Sequence, residues 1–255
     1  AYLLFFTNTG RVHRVKAHQI PRQSRTSRGV LAQSVLPLDP EERIEAVIDT
    51  PDYETSRFLV MVTRLGLAKK TALKEYDSRN QTLVAINLEA GDELVAVRAT
   101  SGGNDMLVFT RDGLGIRFAE TDLRPMGRAT RGVRAIRLRA GDEVVGAASS
   151  IDGDDVLLLT SGGYGKRTAL DQFPRQGRGG IGVKAMKLTR ARGRLVGARA
   201  VRTDDDAFLL SSPGVGTPTP VKSVSRQHRD ATGVRVIDVG SGALAAFTIV
   251  DAEDE

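Results

Sequence analysis

Short apolar runs recur along the chain at a regular distance: Tyr2-Leu3-Leu4-Phe5-Phe6, Phe58-Leu59-Val60-Met61-Val62, Met106-Leu107-Val108-Phe109, Val156-Leu157-Leu158-Leu159 and Phe208-Leu209-Leu210. Each is short and continuous rather than alternating, the pattern of a strand covered on both faces. A turn glycine follows every run, at Gly10, Gly66, Gly113, Gly163 and Gly214, with spacings of 56, 47, 50 and 51 residues. A period of roughly 50 residues marks a repeat architecture, and its strand–turn–strand content predicts propeller-like blades rather than a helical solenoid.

The remainder of the unit repeats as well. Past the turn, four of the five copies read Gly-x-x-x-basic, ending at Arg14, Lys70, Arg117 and Arg167, which predicts the second arm of a hairpin. A polar loop follows, then a third strand such as Val133-Arg134-Ala135-Ile136-Arg137-Leu138. A turn such as Gly91-Asp92-Glu93 or Gly141-Asp142-Glu143 leads into the fourth, as in Glu143-Val144-Val145-Gly146-Ala147. Four short strands are the content of one blade. The expected fold class is therefore all-β, a propeller-like array of about five four-stranded blades. The repeats fall at about 1–50, 51–100, 101–150, 151–201 and 202–250 of a single domain, with an acidic tail over 251–255. No segment carries a 3.6-residue apolar period over a helix length.

Charge sharpens the picture because of where it sits. Lys and Arg number 37 against 31 Asp and Glu, a formal charge of +6, which favours an anionic partner. Between its second and third strands each repeat carries a basic loop: Ser24 to Val30 with Arg25 and Arg28, Gly127 to Val133 with Arg128 and Arg131, Gln176 to Gly182 with Arg178, and His228 to Val234 with Arg229. The second repeat has a weaker version, Ser78 to Val84. Leu123 to Arg139 holds six Arg and no acid, and Pro174 to Arg194 holds seven Lys or Arg and no acid. One such loop alone reads as a solvated turn. Repeated around an axis, equivalent loops would lie on one rim and match a polyanion, with Arg forks suited to phosphate. Glycines such as Gly132, Gly179, Gly180 and Gly233 would let a backbone come close to DNA. The candidate contact set is Arg14, Lys69, Lys70, Arg117, Lys166 and Arg167 on the hairpins, with Arg25, Arg28, Arg128, Arg131, Arg134, Arg175, Gln176, Arg178, Gly179, Gly180, Gly182, Lys184 and Arg229 in the loops.

Duplex is expected over single strand, because Trp is absent and the eight Phe mostly occupy the apolar runs, leaving few stacking platforms. With no recognition helix or zinc finger, contacts should go to phosphates and any preference should come from bendability. Other chemistry finds little support. There is no Cys, consistent with a reducing cytoplasm, and no stretch of membrane-span length. Gly177-x-Gly179-x-x-Gly182 matches a dinucleotide fingerprint in form but not in context, and Gly165-Lys166-Arg167-Thr168 lacks the residues of a phosphate loop. His13, His18 and His228 are too scattered for a metal site, and His13 and His18 read as surface imidazoles. Asn104-Asp105, Asp154-Asp155 and Asp204-Asp205-Asp206 recur before apolar runs and read as turns rather than acid–base pairs. No catalytic residue, metal or cofactor is expected.

The phrases Phe6 to Val12, Arg124 to Val133 and Thr160 to Thr168 resemble the C-terminal domain of the bacterial DNA gyrase A subunit, and the resemblance spans essentially the whole chain. It implies a β-pinwheel, a disc whose neighbouring blades exchange a strand and whose basic edge wraps duplex DNA, within an ATP-dependent topoisomerase completed by the rest of the gyrase A subunit and by the B subunit. The family's Gln-Arg-Arg-Gly-Gly-Lys-Gly box is approached by Gln176 to Gly182, which has Gly177 for Arg and Ile181 for Lys and lies in the fourth repeat. The family's first blade is therefore expected upstream of Ala1. Topoisomerase IV is the alternative within the family. A protein-binding propeller, which would show Trp-Asp signatures and no basic rim, is the alternative outside it.

Overall fold

The computed structural model describes residues 1–22, 30–53, 57–212 and 214–250. Among the described residues, nineteen strands follow the predicted repeats. The first repeat supplies β1 (Tyr2–Thr7), β2 (Arg11–Lys16) and β3 (Ile44–Thr50), and the second supplies β4 (Phe58–Thr63), β5 (Leu67–Ala72), β6 (Thr82–Val84) and β7 (Leu94–Thr100). The third contributes β8 (Asp105–Thr110), β9 (Leu114–Ala119), β10 (Val133–Arg134) and β11 (Val144–Ser149). The fourth contributes β12 (Asp155–Thr160), β13 (Tyr164–Ala169), β14 (Val183–Lys184) and β15 (Leu195–Val201), and the fifth β16 (Asp206–Ser211), β17 (Val215–Pro220), β18 (Val234–Arg235) and β19 (Leu244–Val250). The only helical pieces among the described residues are 3-10 turns of three or four residues.

Sheet order shows that the blades trade strands. The sheets run β3-β1-β2-β6, β10-β5-β4-β7, β11-β8-β9-β14, β15-β12-β13-β18 and β17-β16-β19. In the first four, one edge strand comes from the following repeat, so β6 closes the first blade and β18 the fourth. The donated strand is far shorter than the six residues expected at Val133 to Leu138. It leaves the ladder because its next amides converge on one acceptor: Ala85 and Ile86 both donate to the Gly10 carbonyl, and Val236 and Ile237 to that of Gly163. Among the described residues the first repeat has a 3-10 turn, Ala32–Ser34, where the others have their third strand.

The central strands form where the apolar runs predicted. Every residue of β8 and of β12 is buried. Each hairpin then closes through a glycine with positive φ, as at Gly163 (φ 78°), whose amide donates to the Thr160 carbonyl at 3.0 Å. Three residues before that glycine, at Thr7, Thr63, Thr160 and Ser211, the register of the first strand against the fourth shifts by one residue, and the hydroxyl of Thr160 accepts the amide of Tyr164 at 3.3 Å. The extra residue lies on the fourth strand, as at Val196, and such a bulge bends that strand and raises its local twist.

By its contacts the chain divides into two compact units. The first comprises Ala1–Gly102 with Leu123–Val133, and the second Gly103–Asp122 with the chain from Arg134 on. Leu123–Val133 joins the first unit because it docks on the second blade, where the Met126 amide donates to the Lys70 carbonyl at 2.9 Å. In the first unit Leu4, Phe6, Val12, Leu59, Met61 and Tyr76 share a core, with Phe6 edge-on to Tyr76 at 5.8 Å. In the second, Leu107, Phe109, Leu158 and Phe173 form one core, and Leu157, Leu159, Leu209 and Val221 form another.

Candidate nucleic-acid interface

The structure sorts the expected contact residues into two groups. The hairpin cations point into the protein. Arg14 donates to the Tyr53 hydroxyl at 3.0 Å and to the carbonyls of Ser78 and Asn80, and lies over the rings of Tyr2 and Tyr53. Lys70 is buried against the ring of Phe58. Lys69 and Lys166 are both 0 % exposed, and their ammonium groups meet backbone carbonyls of the next repeat's loop and, for Lys69, that of Ala85 as well. Arg117 donates to Asp105 and to the carbonyls of Leu170 and Phe173, while Arg167 donates to Asp155 and to the carbonyl of Val224. Successive residues of a strand face opposite ways, so Lys69 and Lys166 point to the face covered by the next repeat's loop, and Lys70 and Arg167 to the other face, where they are also buried.

The loop residues face outward, and they are tied to one another. Arg128 donates to the carbonyl of Val84 at 3.1 Å, Arg178 to that of Arg134 at 3.1 Å, and Arg229 to that of Lys184 at 3.0 Å. The three arginines occupy one position of the loop, and their acceptors occupy one position of the preceding repeat's short third strand. A backbone bond runs the opposite way beside each: Asn87 to Thr130 at 3.0 Å, Arg137 to Gly180 at 2.8 Å and Lys187 to Ala231 at 3.0 Å, amide donor first. Guanidinium has five N–H donors, so one such bond fixes its plane and leaves donors for a phosphate. Arg131, Arg134 and Lys184 are exposed, with Arg131 3.7 Å from Glu89. Arg25 and Arg28 lie outside the described residues.

Buried aspartates aim two further arginines. Asp105 binds Arg117 on its own hairpin and Arg175 from the next repeat; Asp155 binds Arg167 and Arg226 in the same manner, Arg226 at 2.8 Å. Arg175 and Arg226 keep 59 % and 58 % of their side chains exposed. The turn reading of Asn104-Asp105 and Asp154-Asp155 is thus corrected: each aspartate heads a buried strand as an ionic bridge. Arg226 was not in the expected set. Its signal was Ser225-Arg226-Gln227, in register with Pro174-Arg175-Gln176.

The loop glycines divide too. A Cβ on Gly132, Gly182 or Gly233 would lie 2.7, 2.4 or 2.7 Å from the carbonyl oxygens of Ala68, Gly115 and Gly165 respectively, so these glycines fit the loop onto its neighbour's hairpin. At Gly132 and Gly233, read from the sequence as openings for DNA, packing alone already requires glycine. A Cβ on Gly179 or Gly180 would meet nothing closer than 3.5 Å, so these two are not packed against a neighbouring hairpin. Gln176 sits at the loop's base, its amide donating to the Arg117 carbonyl at 2.8 Å.

His13 corrects a second expectation. It is fully buried, between the Thr82 hydroxyl at 2.9 Å and the Glu42 carboxylate at 3.2 Å, because β6 brings Thr82 opposite it. Burial pushes the Glu42 carboxyl up, but the Asp39 amide, the hydroxyls of Thr7 and Thr9 and the Arg11 charge outweigh it and hold the group at about 2. His18 is exposed, as expected. Among the described residues no helix is long and apolar enough to cross a membrane.

These blades and their stacked basic loops match a known family. The model of the DNA gyrase C-terminal domain, beta-propeller, aligns with residues 1–51, 57–101, 104–150, 154–202 and 219–250. The chain belongs to this family. Its relatives include the DNA gyrase A subunit of Mycolicibacterium smegmatis, 42 % identical over 100 % of this chain and 31 % of that protein. The DNA gyrase A subunit of Halalkalibacterium halodurans is 48 % identical over 99 % and 31 %. The chain thus spans about a third of the length of these subunits. Among solved structures, the C-terminal domain of DNA topoisomerase IV superposes with a TM-score of 0.89 at 28 % identity, covering 99 % of this chain and 80 % of that one. The DNA gyrase A C-terminal domain gives 0.84 at 23 % identity over 97 % and 82 %, a likeness of fold.

Proposed function

We propose that this chain is a non-catalytic duplex-binding module of a DNA gyrase A subunit, which bends DNA across the exposed arginines of successive basic loops. The observation that carries the reading is the repeated placement of Arg128, Arg178 and Arg229, each held by a carbonyl of the preceding repeat and each at least partly exposed. A series of phosphate-sized cation sites at one position of successive blades suits a continuous polyanion better than any compact ligand. Few exposed aromatics accompany them, which favours a double helix.

Strand cleavage, ATP use and passage of DNA would belong to the remainder of the gyrase A subunit and to the B subunit, in the cytoplasm with the nucleoid. The relatives at 42–48 % identity that bear the gyrase name support gyrase over topoisomerase IV, whose solved domain is 28 % identical. Bending is the discriminating property. Energy transfer between dyes at the two ends of a short duplex should rise on binding. Tight binding with no change in transfer would exclude a bending role, and the absence of binding would exclude the module reading altogether.

A further inference from the structure

Third in the second strand of every blade stand His13, Lys69, Ile116, Lys166 and Thr217. Two of these are lysines buried completely, where an ammonium group is costly unless its hydrogens are matched. The Lys69 ammonium meets three carbonyl oxygens, those of Ala85 at 2.5 Å, Gly127 at 3.3 Å and Arg128. Lys166 meets those of His228 at 2.6 Å and Arg229 at 2.8 Å. All the acceptors but Ala85 belong to the basic loop of the next repeat, and two of them are the carbonyls of the outward-facing arginines themselves.

We propose that Lys69 and Lys166 are positioning residues for DNA binding, each tying the backbone of the following basic loop to the hairpin so that Arg128 and Arg229 are held in one orientation. This rests on the duplex-binding reading. The third blade supplies the contrast. There Ile116 replaces the lysine, and its loop is held by other means: a Cβ on Gly180 would stand 3.5 Å from Ile116 Cδ1, the Gly179 amide donates to the Ala135 carbonyl at 2.7 Å, and Arg178 donates to Asp122 and Arg134. Loops with a lysine beneath them carry Ala129-Thr130 or Asp230-Ala231 where this one carries Gly179-Gly180.

Three carbonyls around Lys69 call for three N–H donors, which only the ammonium has; a neutral amine would turn its lone pair on one of them. Burial, helped by the Arg128 charge that also acts on Tyr76, nevertheless draws the Lys69 pKa down to about 7. At Lys166 burial, opposed by Asp230 and helped by Arg229, draws it to about 8, with exposed His228 beside Asp230. DNA phosphates near the loop favour the charged form, so the bound state has the higher pKa. Binding then takes up protons, and affinity present below the free-state value is lost as pH rises through the bound-state value.

The test is fluorescence anisotropy of a labelled duplex at fixed salt, from about pH 7 to about pH 9.5, with the wild-type chain and with Lys69→Met, Lys166→Met and the double variant. Wild-type affinity should fall several-fold across this range. The double variant, folded by circular dichroism, should bind about 3- to 10-fold more weakly at neutral pH and lose most of the pH dependence. Should the variants fail to fold, hydrogen exchange on the wild-type chain serves instead: amides of Ala129 to Arg131 and Asp230 to Thr232 should lose protection over the same range. Folded variants with wild-type affinity and pH profile overturn the inference, as does wild-type loop protection that does not change with pH. Absence of wild-type binding overturns the duplex reading along with it, whereas binding with unchanged variants overturns this inference alone.

Discussion

The guanidinium of Arg178 donates to the carbonyl oxygen of Arg134, one repeat earlier, at 3.1 Å. The side chain proposed to meet phosphate is thereby also a joint between consecutive repeats. Arg178→Ala should remove a phosphate contact and loosen the joint, costing about 1–2 kcal/mol, or roughly 5- to 30-fold in duplex affinity. The loss should be similar for all sequences, since a phosphate contact reads no bases. Binding measured on a panel of duplexes checks this. A change in sequence preference at constant average affinity would instead indicate base readout.

Asp155 joins a buried arginine to an exposed one, Arg167 to Arg226. Asp155→Asn should leave the Arg167 charge without its counterion and cost about 3 kcal/mol in denaturant unfolding. Asp112→Asn, which breaks the exposed pair with Arg194, should cost less than about 1 kcal/mol. Equal effects would contradict the bridging role given to Asp155.

Gly182 has φ +80°, and a Cβ there would meet the Gly115 carbonyl oxygen at 2.4 Å, whereas nothing lies within 4 Å of one on Gly177. Gly182→Ala should therefore destabilise the fourth repeat's attachment by roughly 2 kcal/mol or more, from strain and overpacking together. Gly177→Ala should be close to neutral. Thermal melts of the two variants make the comparison.

Glu42 is held at about 2, below its usual 4.5. A depressed carboxylate contributes stability above its unfolded value and loses it as pH falls toward the folded one. Glu42→Gln should remove up to about 3 kcal/mol at neutral pH and flatten acid unfolding between about pH 4.5 and pH 2. Unfolding free energies of the wild type and variant across that window show whether it does.

The blades were legible because continuous apolar runs and a glycine at a fixed offset are local signals, and Phe58 to Val62 or Val156 to Leu159 became strands as read. Strand exchange was not, since nothing in Val133-Arg134 says which sheet it joins; only the resemblance to the gyrase domain implied it. Charge told where the loops lie but not which cations face water. Lys69 and Arg178 look alike in sequence, yet Lys69 alternates into a face that the next repeat covers, while Arg178 stands on the covering loop itself. Arg226 escaped notice because its repeat is otherwise thin in charge, with Asp230 in the loop. His13 was misplaced because the partner that buries it, Thr82, comes from the second repeat.

Salt dependence of duplex binding tests the central claim most directly. Arg128, Arg131, Arg134, Arg175, Arg178, Lys184, Arg226 and Arg229 carry the outward charge of the loops. If several loops each neutralise about two phosphates, the log of the affinity should fall against the log of the salt concentration with a slope on the order of −5 to −9. A slope shallower than about −2 would contradict the account.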